Sequence, residues 1–101
     1  MPNAAKTMLK QYSAYDLIEK AIEAVEKDVT TPGKFKTYFR VDFTFPQLCA
    51  YLKRKKIWGK PAITEYEYSI LTGNKDKGNL LSILKDVKNR NTKTIYDDFN
   101  V

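Results

Sequence analysis

The apolar residues between Ala14 and Val25 fall three and four positions apart, and this spacing constrains the fold more than any other feature of the chain. Ala14, Leu17, Ile18, Ala21, Ile22 and Val25 form one stripe of an α-helix. Ser13 and Asp16 resemble a capping box at its start, with Asp where Glu is usual, and Thr30-Thr31-Pro32-Gly33 closes it. The other face carries Glu19, Lys20, Glu23, Glu26 and Lys27 and reads as solvated. Such a helix needs partners for its stripe, because one apolar face is stable only against another.

Further stripes supply those partners. Ala5, Met8, Leu9 and Tyr12 fit a preceding helix or an extension of the first. Thr44 is placed to cap a helix in which Phe45, Leu48, Cys49 and Leu52 face one way, with Pro46 in the first turn, where a missing N–H costs little. Continued too far, that stripe would take in Lys56, so the helix should end by about Lys55. Thr64 and Glu67 form a capping box, Ile63 and Tyr68 occupy the positions of a hydrophobic staple, and Gly73 ends a short helix. Asn79 is placed to cap a last helix with Leu80, Ile83, Leu84 and Val87 inward and Ser82, Lys85, Asp86 and Asn89 outward. Residues 91–101 read as a flexible tail. From Phe35 to Phe43 the pattern alternates, which is a strand period; with no evident partner, the segment either pairs with the tail around Thr94 to Tyr96 or is a loop or a helix. The expected fold is mainly α, a compact bundle of about four helices with helix-turn-helix-like character and room for one short strand or hairpin, with α+β as the alternative.

At 101 residues the chain is sized for a single domain over 1–101, and 43% hydrophobic residues suffice for a core. It has no His, and Cys49 is its only cysteine, which removes the usual routes to a zinc, haem or iron–sulfur site and to an internal disulfide. Without His the common hydrolase constellations lose their general base, and Cys49, in an apolar stripe, reads as a buried small hydrophobe. Gly73 to Leu80 has the glycine spacing of a phosphate-binding loop, but Asn79-Leu80 stands where that motif needs Lys and then Ser or Thr. The expectation is a non-enzymatic protein with no metal and no cofactor. A minor alternative is a magnesium nuclease built on Glu65 or Glu67, with Asp97 and Asp98 as further carboxylates. The apolar runs are too short to span a membrane and no signal peptide is read at the N-terminus, so a cytoplasmic location is expected.

The net charge of +6 sits in the middle of the chain. Residues 31–60 hold Lys34, Lys36, Arg40, Lys53, Arg54, Lys55, Lys56 and Lys60 against Asp42 alone, while the flanking thirds are close to neutral. The same third holds seven of the thirteen aromatics: Phe35, Tyr38, Phe39, Phe43, Phe45, Tyr51 and Trp58. Cations interleaved with aromatics suit nucleic acid, the cations displacing counterions from phosphates and an exposed ring stacking on a base. Lys outnumbers Arg fifteen to three, which favours backbone contact over base-specific reading. It also hints at an AT-rich genome, such as that of a phage or plasmid.

The run Phe43-Thr44-Phe45-Pro46-Gln47-Leu48-Cys49-Ala50-Tyr51-Leu52 resembles the entry to the first helix of a helix-turn-helix unit. With a long helix before it and a basic helix closing the chain, the order is similar to small phage DNA-binding proteins, small terminase packaging subunits among them. The likeness is close over residues 43–52 and loose over 16–90. It departs from that pattern in the ten residues between Lys53 and Thr64, where three or four are usual, and in the helix that follows, which opens with Glu65 and Glu67. The resemblance implies DNA contact on the basic connection Lys53 to Lys60 and on the last helix through Lys85 and Asn89. A second function class is a protein-interaction module docking on a host or virion protein, with Tyr51 and Trp58 as anchors. No membrane partner is expected, and homo-oligomers are compatible with either reading.

Overall fold

The capping box at Ser13 sets where the first helix begins. The Ser13 hydroxyl accepts from the Asp16 N–H at 3.0 Å and the Asp16 carboxylate accepts from the Ser13 N–H at 3.4 Å, satisfying donors that a helix start leaves open. Helix α1, Ala14–Glu26, buries the predicted stripe together with Ala24. It closes with Asp28 in the left-handed region at φ 58°, and the Val29 N–H turns back to the Ala24 carbonyl at 2.9 Å. The computed structural model describes Leu9 and residues 11–57, 59–73 and 75–99, of which 92–99 through their backbone. Most of the segment 3–12 and the strand partner sought at Thr94 to Tyr96 therefore have no described side-chain packing.

The strand expected over Phe35–Phe43 is a helix for more than half its length. Helix α2, Pro32–Phe39, begins with Pro at its first position and buries Phe35 completely. A lone strand would leave its N–H and C=O groups without partners, whereas a helix pairs its own. Phe35 and Phe39 are four apart, so they fit both periods, and as a helical pair their rings stand 4.7 Å apart. Arg40 ends α2 at φ 57°, and the Val41 N–H donates to the Lys36 carbonyl at 3.2 Å. The alternation survives beyond that point: Val41 and Phe43 in the link and Phe45 at the start of the next helix are all buried. Phe35 gathers Phe43 and Phe45 at ring distances of 5.9 and 6.3 Å, so the aromatic cluster fixes α2 to the start of the next helix.

Helix α3, Phe45–Arg54, starts at a full capping box between Thr44 and Gln47 and buries Phe45, Leu48, Cys49 and Leu52. It ends at Lys55, whose extended backbone opens the long connection. That connection is an antiparallel hairpin. Strand β1, Lys56–Ile57, pairs with β2, Lys60–Pro61, in the register Lys56 with Pro61 and Ile57 with Lys60. Gly59 supplies the positive φ of 81° that the two-residue tip requires. The ladder continues from the Ala62 N–H to the Lys55 carbonyl at 2.9 Å, and Ala62 and Ile63 are both fully buried.

Helix α4, Glu65–Gly73, begins at the predicted Thr64–Glu67 capping box, with reciprocal bonds of 2.8 and 3.0 Å. Helix α5, Lys77–Phe99, starts two residues before the expected cap. Asp76 takes that role, its carboxylate accepting from the Gly78 and Asn79 N–H groups, and a carboxylate suits a helix N-terminus better than an amide. The helix runs past Asn91, where a tail was read, as far as Phe99. Leu80, Leu84, Val87 and Asn91 form its inward stripe, and α5 makes its most extensive packing with α1. The outcome is mainly helical with one short hairpin, and the buried side chains join one apolar core. Among the described residues, no helix is long and apolar enough to cross a membrane.

Candidate functional site

The basic third of the chain is divided between the two ends of α3. Lys34, Lys36 and Arg40 are exposed on α2 and its cap, and α2 is held at the N-terminal end of α3 by the contact of Phe35 with Phe45. Lys53, Arg54, Lys55, Lys56 and Lys60 lie at the C-terminal end and on the hairpin. Ten residues of helix separate the groups by about 15 Å. Lys85 and Asn89 are exposed one turn apart on α5, on the side opposite its inward stripe.

These cations differ in whether a carboxylate already holds them. Lys53 is committed to the fold: its Nζ is 3.4 Å from Glu65 and 4.5 Å above the ring of Tyr68. Lys55 is half-buried, its Nζ 5.6 Å over the Tyr51 ring. Arg54, Lys56 and Lys60 are exposed, and no carboxylate among the described residues pairs with them. The same holds for Lys34, Lys36, Arg40 and Lys85. By contrast Lys77 reaches the C-terminal end of α1 at the Glu26 carbonyl and Asp28, and Lys88 pairs with Glu19 at 2.7 Å.

The aromatics sort differently from the cations. Phe35, Phe43 and Phe45 are core, Phe39 and Tyr51 are half-buried, and Tyr38 is 43% exposed with its hydroxyl donating to Glu23 at 2.6 Å. That bond to a carboxylate raises the pKa of the Tyr38 phenol. Trp58 lies outside the described residues. Among the described residues the most exposed large apolar side chain is Tyr66 at 74%, which is not among the residues expected from the sequence. Its signal was available, because on α4 it stands well away from the position of Leu71, the residue that α4 buries.

Arg90 organises the exit of the hairpin. Its guanidinium donates to both oxygens of Glu67, at 2.9 and 3.0 Å, and to the Ala62 carbonyl at 3.1 Å. Buried Asn91 donates to the same carbonyl at 3.2 Å and to the Val87 carbonyl at 2.9 Å. Burial pushes the Glu67 carboxyl up, but the bonds from Arg90 and from the Thr64 backbone outweigh it and hold it below its ordinary value. Of the two acids that open α4, Glu67 is held by Arg90, while Glu65 is 83% exposed and meets Lys53 only at the surface. No group of three or more acidic or thiol side chains among the described residues is arranged to hold a metal. The side chains of Asp97 and Asp98 lie outside the described residues. Cys49 is buried as expected, and desolvation pushes its thiol up to about 12.

Comparison of the chain with protein-family models, with curated proteins and with solved structures finds no match.

Proposed function

We propose that the protein binds nucleic acid, DNA in the first instance, through the basic hairpin between α3 and α4. The observation that carries this reading is the set Arg54, Lys56 and Lys60: three exposed cations within seven residues, with no described carboxylate pairing with them, the first at the end of α3 and the other two on a ribbon anchored at its base. Unpaired cations on a fixed scaffold attract phosphate without first giving up an internal partner. Lys34, Lys36 and Arg40 extend the basic surface at the other end of α3, and Lys85 with Asn89 adds a further contact on α5, where Asn is chemically able to read adenine.

The docking alternative has less behind it. Tyr51 is half-buried beneath Lys55, which leaves little of its ring for a partner.

The deciding experiment is fluorescence anisotropy of labelled DNA with the full chain across a salt series. With six cations on duplex phosphates, log K against log salt is expected to fall with a slope of about −5. No binding at low salt, or a slope near zero, overturns the proposal.

A further inference from the structure

The hairpin is short for a groove. Each strand has two residues, so the ribbon rises about 7 Å above its base. The major groove of duplex DNA is about 8.5 Å deep. Ile57 also packs against the core cluster, which ties one face of the ribbon to the body of the protein. A ribbon this short, held down on one face, presents its cations to phosphates at a surface more readily than it inserts into the groove.

An exposed ring follows it in the chain. Tyr66 lies in the first turn of α4, six residues after Lys60, so their Cα atoms are no more than about 22 Å apart even for a fully extended chain. The actual path is drawn tighter. Arg90 binds the Ala62 carbonyl at the foot of β2 and the carboxylate of Glu67, the residue next to Tyr66, with one guanidinium. One planar group thus fixes the foot of the hairpin relative to the turn that carries the ring. At 74% exposure Tyr66 offers its ring to solvent, where an unstacked base can stack on it.

Resting on the proposed nucleic-acid reading, we infer that the ligand of the hairpin is a single strand, whose phosphates lie on Lys56 and Lys60 while one of its bases stacks on Tyr66. Duplex offers the phosphates but keeps its bases paired and stacked, so it gains from the cations alone. Single-stranded DNA and single-stranded RNA present the same two features and are distinguished by the test.

The test is anisotropy at fixed salt with labelled oligothymidylate, oligouridylate and a mixed-sequence duplex of equal length. Both single strands are expected to bind more tightly than the duplex, and the tighter of the two names the source. Tyr66→Ala is expected to weaken single-strand binding by roughly 5- to 100-fold and to leave duplex binding unchanged, since stacking on an aromatic contributes about that much per base. Tyr66→Phe should retain affinity, because the ring and not the hydroxyl makes the contact. Lys56→Ala with Lys60→Ala should weaken all three ligands. A duplex bound as tightly as the single strands, or a Tyr66→Ala variant with unchanged affinity and an unchanged thermal melt, overturns the inference and leaves the basic hairpin in place. No binding of any ligand at low salt removes the nucleic-acid reading and this inference with it.

Discussion

Three cations of α5 and three around the hairpin are alike in the sequence and opposite in the structure. Lys77, Lys88 and Arg90 each meet a carboxylate or carbonyl of another element, and their charge is spent on joining α5 to α1 and α4. Arg54, Lys56 and Lys60 meet none among the described residues. Positive charge is therefore not one property of this chain. Where an acid from a distant segment folds into reach it becomes a tie, and where none does it remains an attractive potential for an outside anion.

The largest expected effect breaks this comparison on the side of function. Replacing Arg54, Lys56 and Lys60 together by Ala removes up to three phosphate contacts. The salt slope should become shallower by about 3 and affinity at moderate salt should fall on the order of 100-fold. The melting temperature should stay nearly constant, because exposed cations without partners contribute little to folding. Anisotropy and a thermal melt on the same sample check both halves. A large loss of stability would show that these cations serve the fold after all.

The counterpart on α5 is Arg90→Ala. It leaves Glu67, whose side chain is only 12% exposed, without its bidentate partner and strips a bond from the Ala62 carbonyl. A pair of this kind lies between a surface bridge and a buried one, so a loss of about 2 kcal/mol is expected. In a domain of this size that is a fall in melting temperature of roughly 10 °C. An unchanged melt would show that the bond to Glu67 contributes nothing measurable to stability.

How much of this was legible beforehand follows from the range over which each signal acts. The helix starts at Ser13, Thr44 and Thr64 were readable, because a cap and its N3 partner lie three residues apart and need nothing else. The start of α5 was placed at Asn79 when Asp76 was the stronger anion for a helix N-terminus. The segment 35–39 is ambiguous in the sequence because a spacing of four satisfies both a strand and a helix, and only a pairing strand, of which the described residues offer none to it, would decide for the former. The basic connection was recognised, but its hairpin rests on the Gly59 φ and on Lys55 meeting Ala62, which no periodicity announces. Least legible was the sorting of the cations, since Arg90 finds Glu67 across 23 positions and Lys88 finds Glu19 across a far longer separation.

Acid titration sharpens the structural side of the comparison. Glu67 has its folded pKa held below its ordinary value, chiefly through Arg90 and the Thr64 backbone acting against the upward push of burial. A group depressed in this way contributes stability that is complete above its unfolded pKa of about 4.3 and is lost as pH falls through the lower folded value. Glu19, lowered by its bond from Lys88, acts in the same direction. Stability should therefore fall below about pH 4.5. Glu67→Gln should be less stable near neutrality and show a shallower decline in acid, which urea unfolding at several pH values will measure. An identical acid decline in the variant would remove Glu67 from the account.

The smallest effect tests whether the two ends of α3 belong to one surface. Arg40 holds a left-handed backbone at φ 57°, a conformation that disfavours any residue with a Cβ and suits Gly. Arg40→Gly should raise stability by about 0.5 to 1 kcal/mol, because relief of that strain outweighs the extra chain entropy Gly brings to the unfolded state. The same change deletes one exposed cation from the α2 group and leaves the hairpin untouched. If the strand or duplex bound at the hairpin extends the roughly 15 Å to α2, the salt slope should drop by just under one and affinity should fall several-fold in a protein that is more stable than before. If affinity is unchanged, the interface ends at the hairpin, and Lys34, Lys36 and Arg40 are solvating charge. Because stability and binding are expected to move in opposite directions, a general loss of structure cannot imitate the first result.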